Sequence, residues 1–249
     1  VYKRQLLFLG IWLLSRVPGQ TANDIEQRTE RVPMSGSKRL SFFLNFVPGI
    51  ICATLIYMCL TGLRDFRDNF AVELWTALGF ADTPGILTLS EIPIAVICLV
   101  FIGSMIYIKD NRRAFYLNIK LIAVSGLAVL VVTLLFIWGL LGPITWMVLV
   151  GLGTYSAYLI YHTMLFERWI AWYREPANVG YLMYISDAFG YAASVAIILY
   201  KDLGSQDISW LGFFTSLAII CGVLVLLGSI CLWWYFRHKE AQLGMTATR

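Results

Sequence analysis

Asp187 is the residue whose position asks most insistently for a chemical role. It stands eight residues into an apolar run that begins near Val179, about 12 Å along a helix rising 1.5 Å per residue. An Asp, Lys or Arg at membrane depth costs about 2.5–3.5 kcal/mol or more on insertion scales, so it normally faces a bundle interior or a water-filled cavity. At about 100° per residue, Gly180, Tyr184, Asp187, Gly190, Tyr191 and Ser194 share one helix face. That face joins a carboxylate to two phenols, a set suited to carrying a proton or contacting a polar solute. The other reading is a structural polar contact between helices. Ser186, Gly190 and Ser194 repeat at i, i+4, the spacing of small residues that lets helices approach closely.

Three further groups carry polar chemistry. Gly151, Tyr155, Tyr158, His162 and Trp169 fall on one stripe, read either as a cavity wall or as an aromatic anchoring belt. Thr54, Tyr57, Thr61, Arg64 and Asp68 line up on another if the helix of residues 41–62 continues outward. Arg64 and Asp68 are then spaced for an i, i+4 pair. The segment is either a solvated helix extension or an outer gate whose two arginines draw an anionic solute inward. Thr88-Leu-Ser-Glu91 fits a capping box, with Pro93 in the first turn of the helix it opens. Candidate pathway residues are therefore Tyr57, Arg64, Asp68, Tyr158, His162, Tyr184 and Tyr191, with Asp187 as the proton-coupling group.

The elements that position these residues follow from composition. Of the 249 residues 59% are apolar and 14% charged, with mean hydropathy +0.73. Soluble domains sit near 45–50% apolar and about 25% charged, which excludes an ordinary soluble enzyme, a disordered chain and a nucleic-acid-binding module. Six apolar segments, at about 41–62, 90–108, 119–140, 144–166, 179–200 and 210–236, are each long enough to cross a hydrocarbon core of about 30 Å. Backbone groups facing lipid must be paired internally, so the expected fold is an all-α six-helix transmembrane bundle. Residues 1–14 contain a shorter apolar run, read as the end of a truncated preceding span.

Lysine and arginine set the orientation. Segment 15–40 carries Arg16, Arg28, Arg31, Lys38 and Arg39, and segment 109–120 carries Lys109, Arg112, Arg113 and Lys120. Arg168, Arg174 and the cations of the tail at 237–249 fall on the same side, leaving Arg64, Arg67 and Lys201 on the other. Segment 15–40 is thus expected to be a cytoplasmic linker, with a short solvated helix opened by Thr21-x-x-Asp24, and the C-terminus is expected to be cytoplasmic. Lys109-Asp-Asn-Arg-Arg113 reads as topology-setting charge, the alternative being a lipid-headgroup or nucleic-acid patch. Pro48-Gly49 marks a kink, and Trp75, Leu78 and Phe80 suggest a short interfacial helix before a Pro84-Gly85 turn.

Catalytic signatures are missing from the sequence. The five cysteines lie in apolar spans, no CxxC occurs, and His162 and His238 are the two histidines, which argues against zinc or iron sites. Neither a G-x-S-x-G elbow nor a Walker loop is present. The expectation is no enzyme, no cofactor and no metal.

The pattern resembles the C-terminal half of a major facilitator superfamily transporter, whose two six-helix halves each contain inverted three-helix repeats. More narrowly, Arg28-Thr-Glu-Arg31-Val-Pro-Met34, Arg64-Asp-Phe-Arg-Asp-Asn-Phe70, Ser90-Glu-Ile-Pro-Ile-Ala95, Asp110-Asn-Arg-Arg-Ala-Phe115 and Ser186-Asp-Ala-Phe-Gly-Tyr191 resemble an uncharacterised bacterial family related to that superfamily. The resemblance covers nearly all of residues 10–240 and brings no substrate with it. Superfamily members often carry a G-x-x-x-D-R-x-G-R-R-type element between the second and third helices of a half. Asp110 and Arg113 keep part of its charge pattern, with Gly103 upstream and the internal glycine absent. The resemblance implies a gating latch at Asp110 and Arg113.

Together these expectations describe a secondary active transporter that moves a small solute by alternating access in a bacterial inner membrane, with proton coupling through Asp187 as the finer reading. Its partners would be a missing N-terminal half, a small-molecule substrate and membrane lipids, with no nucleic acid. The alternative is a non-transport polytopic protein: a sensor, a scaffold or a lipid-handling component.

Overall fold

The computed structural model describes residues 2–17, 19, 34–83, 85–174, 177–204 and 209–244. The chain divides into two compact units, Val1–Arg31 and Val32–Arg249. The first contains helix α1 (Tyr2–Ser15), whose apolar side chains from Leu7 to Leu14 are largely exposed. The helix expected after Thr21 lies outside the described residues.

The second unit is helical, with no strand among its described residues. Its elements are α2 (Gly36–Asn69), α3 (Ala71–Ala77), α4 (Gly85–Ser104), α5 (Asn111–Ile137), α6 (Pro143–Ile160), α7 (Phe166–Tyr173), α8 (Val179–Leu199) and α9 (Trp210–Gln242). A π-turn, Tyr161–Leu165, joins α6 to α7 without a break. Six helices are long and apolar enough to cross a membrane: α2, α4, α5, α6 with α7, α8 with its π-helical extension, and α9. The short helix expected around Trp75 is α3.

Local chemistry explains the helix ends. Asp110 caps α5 by accepting from the Arg113 amide at 2.6 Å, Asn178 caps α8 through the Gly180 amide at 2.8 Å, and Ser209 caps α9 through the Gly212 amide at 3.1 Å. Between α5 and α6, Gly139 takes φ +72° and the Leu140 amide reaches back to the Leu135 carbonyl at 2.9 Å. That is a glycine-dependent helix stop, followed by Pro143 at the first turn of α6.

The helices extend beyond the apolar runs. At 34 residues, α2 is about 51 Å long, so its ends project from a hydrocarbon core. The kink expected at Pro48-Gly49 appears two residues earlier, where Phe46 leaves helical geometry at φ −125°, ψ 17°. Proline removes an amide and crowds the preceding turn, which displaces the bend toward the N-terminus. Glu91 does not cap α4: the helix starts at Gly85, placing both Glu91 and Pro93 inside it.

The packing has an internal pattern. The first three spans are α2, α4 and α5; the last three are α6–α7, α8 and α9. Helix α2 packs on α8 and α9, α6 packs on α4 and α5, α5 packs on α9, and α2 also meets α6. Exchanging each span of the first set for its counterpart in the second leaves these principal pairings unchanged. Because each set contains three alternating spans, the two sets run in opposite directions. The α5–α9 contact is close, since a Cβ on Gly222 would stand 3.0 Å from the Gly126 carbonyl oxygen.

Two clusters fill the bundle. Phe46, Phe115, Trp169, Tyr173 and Phe236 dominate one, at the end holding Asp110. Phe66, Trp75, Trp146 and Phe214 dominate the other, where Trp146 stacks on Phe136 at 4.1 Å between centroids. Many apolar side chains elsewhere are exposed, among them Leu99, Val100, Val124 and Leu224, as expected of a surface that lipid covers.

Candidate functional site

The main polar cluster lies where α2, α6 and α8 meet. The Tyr57 hydroxyl donates to Asp187 Oδ1 at 2.6 Å, and the Tyr57 and Tyr158 oxygens lie 3.4 Å apart. His162 Nε2 stands 3.9 Å from the same Asp187 oxygen. The Tyr57 ring is fully buried, stacked on Tyr158 and packed against Tyr161 at 4.8 Å. Tyr161 in turn exchanges a 2.9 Å hydrogen bond with Ser186. The side chains of His162 and Asp187 are 39% and 27% exposed, so the cluster is open on one side.

Small residues make this geometry possible. Ser186, Gly190 and Ser194 form the buried stripe of α8, and a Cβ on Gly190 would stand 2.7 Å from the Tyr57 ring. Glycine lets Tyr57 reach Asp187 across the helix contact. On α6, the π-turn begins at Tyr161, and Thr163 bonds back to the Leu159 carbonyl at 2.7 Å. One extra residue per turn shifts every later side chain around the axis. His162, on the π-turn, faces Asp187, whereas Trp169, beyond it, leaves the expected stripe and is buried among Phe46, Phe115 and Phe236.

Asp187 sits at the border of its helix face. Tyr184 and Tyr191, expected beside it, are 78% and 53% exposed and point away from the packed stripe. Chemically, the cluster offers a carboxylate, an imidazole and two phenols within hydrogen-bonding distance or one short step of each other. It can hold a proton and exchange it along the Tyr57–Asp187–His162 edge.

A second polar group continues along α2 toward Asn69. Arg64 lies over the Tyr158 ring at 4.1 Å and its guanidinium grips Asp65 through two bonds, at 2.9 and 2.6 Å. The expected Arg64–Asp68 pair is not formed, because neighbouring Asp65 captures the fork. Asp68 instead accepts from Tyr155 at 2.6 Å and lies 3.6 Å from Arg67.

Arg67 is the residue that sequence reasoning misplaced. It is 2% exposed and pairs with Glu91 at 2.7 Å. Gly151 makes room, since a Cβ there would stand 2.9 Å from Arg67 Nη2. Neither arginine is thus an open lure for anions, and the segment is not a solvated extension either. Leu60, Leu63, Phe66 and Arg67 share the buried side of α2, a helical periodicity that was available as a signal.

At the opposite end, Asp110 acts as a helix cap, and among the described residues neither it nor Arg113 makes an ion pair. The cross-helix tie at this end belongs to Glu240. It is 3% exposed, receives Arg112 and the Tyr116 hydroxyl at 2.8 Å, and lies 3.4 Å from Arg237. Its sequence signal is slight: one i, i+3 partner at the end of an apolar run. Among the described residues no His, Cys, Asp or Glu cluster has the makings of a metal site.

Six apolar crossing-length helices around buried charges define a polytopic helical membrane protein. Within that class, the chain belongs to a family of unknown function, DUF5690, whose model matches residues 3–239. No curated protein and no solved structure matches it.

Proposed function

We propose that the protein is a secondary active transporter that moves a small polar solute by alternating access, with Asp187 as its proton-coupling group. The observation that carries this reading is the site's position between the two opposed three-helix sets. Tyr57 comes from the first set, and Tyr158, His162 and Asp187 come from the second. Transporters built from inverted repeats hold substrate and coupling ions near the membrane midplane at the repeat interface. The exchange-invariant packing of the spans supports the same architecture, as does the resemblance to one half of a major facilitator superfamily protein.

In this reading, Asp187 binds a proton from one side and releases it to the other as the cavity reorients. Tyr57 stabilises the charged carboxylate by hydrogen bonding, and His162 is the nearby exchange partner. The open side of the cluster faces a second six-helix unit, the other half of the same transporter. Arg64 with Asp65 and Asp68 with Tyr155 line the outer approach. Tyr184 and Tyr191 face outward and meet that second unit. Asp110 and Arg113 contribute to closure at the inner end, in a bacterial inner membrane with the C-terminus cytoplasmic. The protein uses no cofactor and catalyses no covalent reaction.

The test is solute-induced proton movement in proteoliposomes containing the full-length protein and an internal pH dye. Defined pools of amino acids, sugars and carboxylates are added in turn. One pool is expected to move protons, and Asp187→Asn should abolish that signal while inserting normally. If no pool moves protons, or if Asp187→Asn responds like the parent, the coupling assignment fails.

A further inference from the structure

A cleft of about 930 Å³ opens at the Asp110 end, lined by Lys109, Arg112, Arg113, Lys120 and Arg237 together with Asp110 and aromatic side chains. Glu240 occupies Arg112 and Arg237. Lys109, Arg113 and Lys120 make no ion pair among the described residues. Asp110, the acidic member of the lining, already accepts from the α5 backbone. The cleft therefore presents a clear excess of positive charge.

A second, smaller hollow adjoins it. About 170 Å³ in volume, it lies between α5 and α9 and is lined by Ile119, Ala123, Ser229 and Ile230 along with Lys120 and Trp233. Lys120 and Trp233 border both spaces. A charged basin thus passes directly into an apolar furrow running toward membrane depth. The Ser229 hydroxyl, buried and without a hydrogen-bond partner, lines the furrow one helical turn beyond Trp233, about 6 Å along the axis.

We infer that this composite cleft binds an anionic glycerophospholipid, its phosphate held by Lys109, Arg113 and Lys120 and an acyl chain lying in the α5–α9 furrow. Each part of the site matches one part of that ligand. Cations clustered beside a membrane span attract anionic headgroups. Trp233 supplies the amphipathic ring favoured at headgroup level, and Ser229 offers a donor to an ester oxygen. A soluble phosphate would use the basin and leave the furrow empty. A zwitterionic lipid would enter the furrow but gain little from the uncompensated cations. The site shares no residue with the Asp187 cluster.

The test measures binding to the full-length protein in neutral detergent, read by its thermal unfolding midpoint. Short-chain phosphatidylglycerol, the matching phosphatidylcholine, and glycerol phosphate are titrated separately. Phosphatidylglycerol should raise the midpoint saturably, and the other two should act only at far higher concentration. At about fivefold per cation near an anionic headgroup, Lys109→Gln, Arg113→Gln and Lys120→Gln together should weaken binding about 100-fold. Ala123→Trp, which fills the furrow and leaves every cation in place, should also weaken it. Lys38→Gln with Arg39→Gln, on exposed positions elsewhere on the chain, should leave it unchanged.

Equal binding of the two lipids would overturn the inference, as would glycerol phosphate matching the lipid. So would parent-like binding by the triple variant. If the triple variant does not fold, Ala123→Trp decides: an unaltered affinity there refutes the furrow and with it the lipid.

Discussion

Replacing Glu91 with Leu should destabilise the protein more than replacing its buried partner Arg67. Arg67 is 2% exposed, whereas the Glu91 side chain is 45% exposed. Removing one member of a fully buried ion pair costs about 3–5 kcal/mol, because the survivor is left charged and unpaired. In Glu91→Leu the survivor is the buried guanidinium. Its remaining contacts are Asp68 at 3.6 Å and the Met147 carbonyl at 3.4 Å, and its Nε already lacks a partner. Asp68 offsets part of the loss, so the expected cost is about 2 kcal/mol. In Arg67→Met the survivor is the half-exposed Glu91 carboxylate near the start of α4, which is not locked in the core, and the expected cost is about 1 kcal/mol. The double variant removes both charges and should lie within about 1 kcal/mol of the parent. Reversible unfolding in mixed micelles gives all three values. If the two single effects simply add, the pair is not coupled and the argument fails.

Other expectations follow from the same packing. Gly190→Val should lower stability by about 1–3 kcal/mol, because a Cβ there meets the Tyr57 ring at 2.7 Å; a parent-like unfolding midpoint would count against the α2–α8 contact. Gly139→Ala, at φ +72°, should cost about 1 kcal/mol, whereas Gly142→Ala, at φ −72°, should be milder in the same assay. Glu240→Leu should cost more than Glu240→Gln, since Gln still accepts from Arg112 and Tyr116; equal losses would show that packing alone matters there.

Much of the fold was legible because membrane spans announce themselves by hydropathy over long windows. All six crossing helices appear, and the small-residue stripe at Ser186, Gly190 and Ser194 packs as its spacing suggests. Their ends were harder to read. Charges at Arg64, Arg67 and Glu91 look like loop chemistry in a linear sequence, yet each is neutralised by a partner. Pairing lets the helix continue where composition says it should stop. Glu91 imitates a cap because the capping motif also fits a helix interior that happens to place Thr88 three residues earlier.

The cluster was legible in its members and obscure in its connections. Tyr57, Tyr158 with His162, and Asp187 stand on three separate helices in the sequence, and the structure brings them together. Tyr184 and Tyr191 lie within the same broad angular window as Asp187, a window that takes in the exposed side of α8. The π-turn at Tyr161–Leu165 has no simple local signature, so the stripe drawn through Trp169 carried the wrong phase. Glu240 carries little local signal because two of its three partners, Arg112 and Tyr116, come from α5, more than a hundred residues away in sequence.

The central claim, that the Asp187 cluster lines an aqueous cavity reached alternately from each side, is tested most directly by thiol labelling at His162→Cys. The five native cysteines are first replaced, and the full-length protein is sealed in vesicles of each orientation. A membrane-impermeant maleimide is then applied from one side at a time, with the pH gradient imposed in either direction. The account expects labelling from both sides, with the favoured side reversing as the gradient reverses. Labelling from neither side, or from one side whatever the gradient, would contradict it.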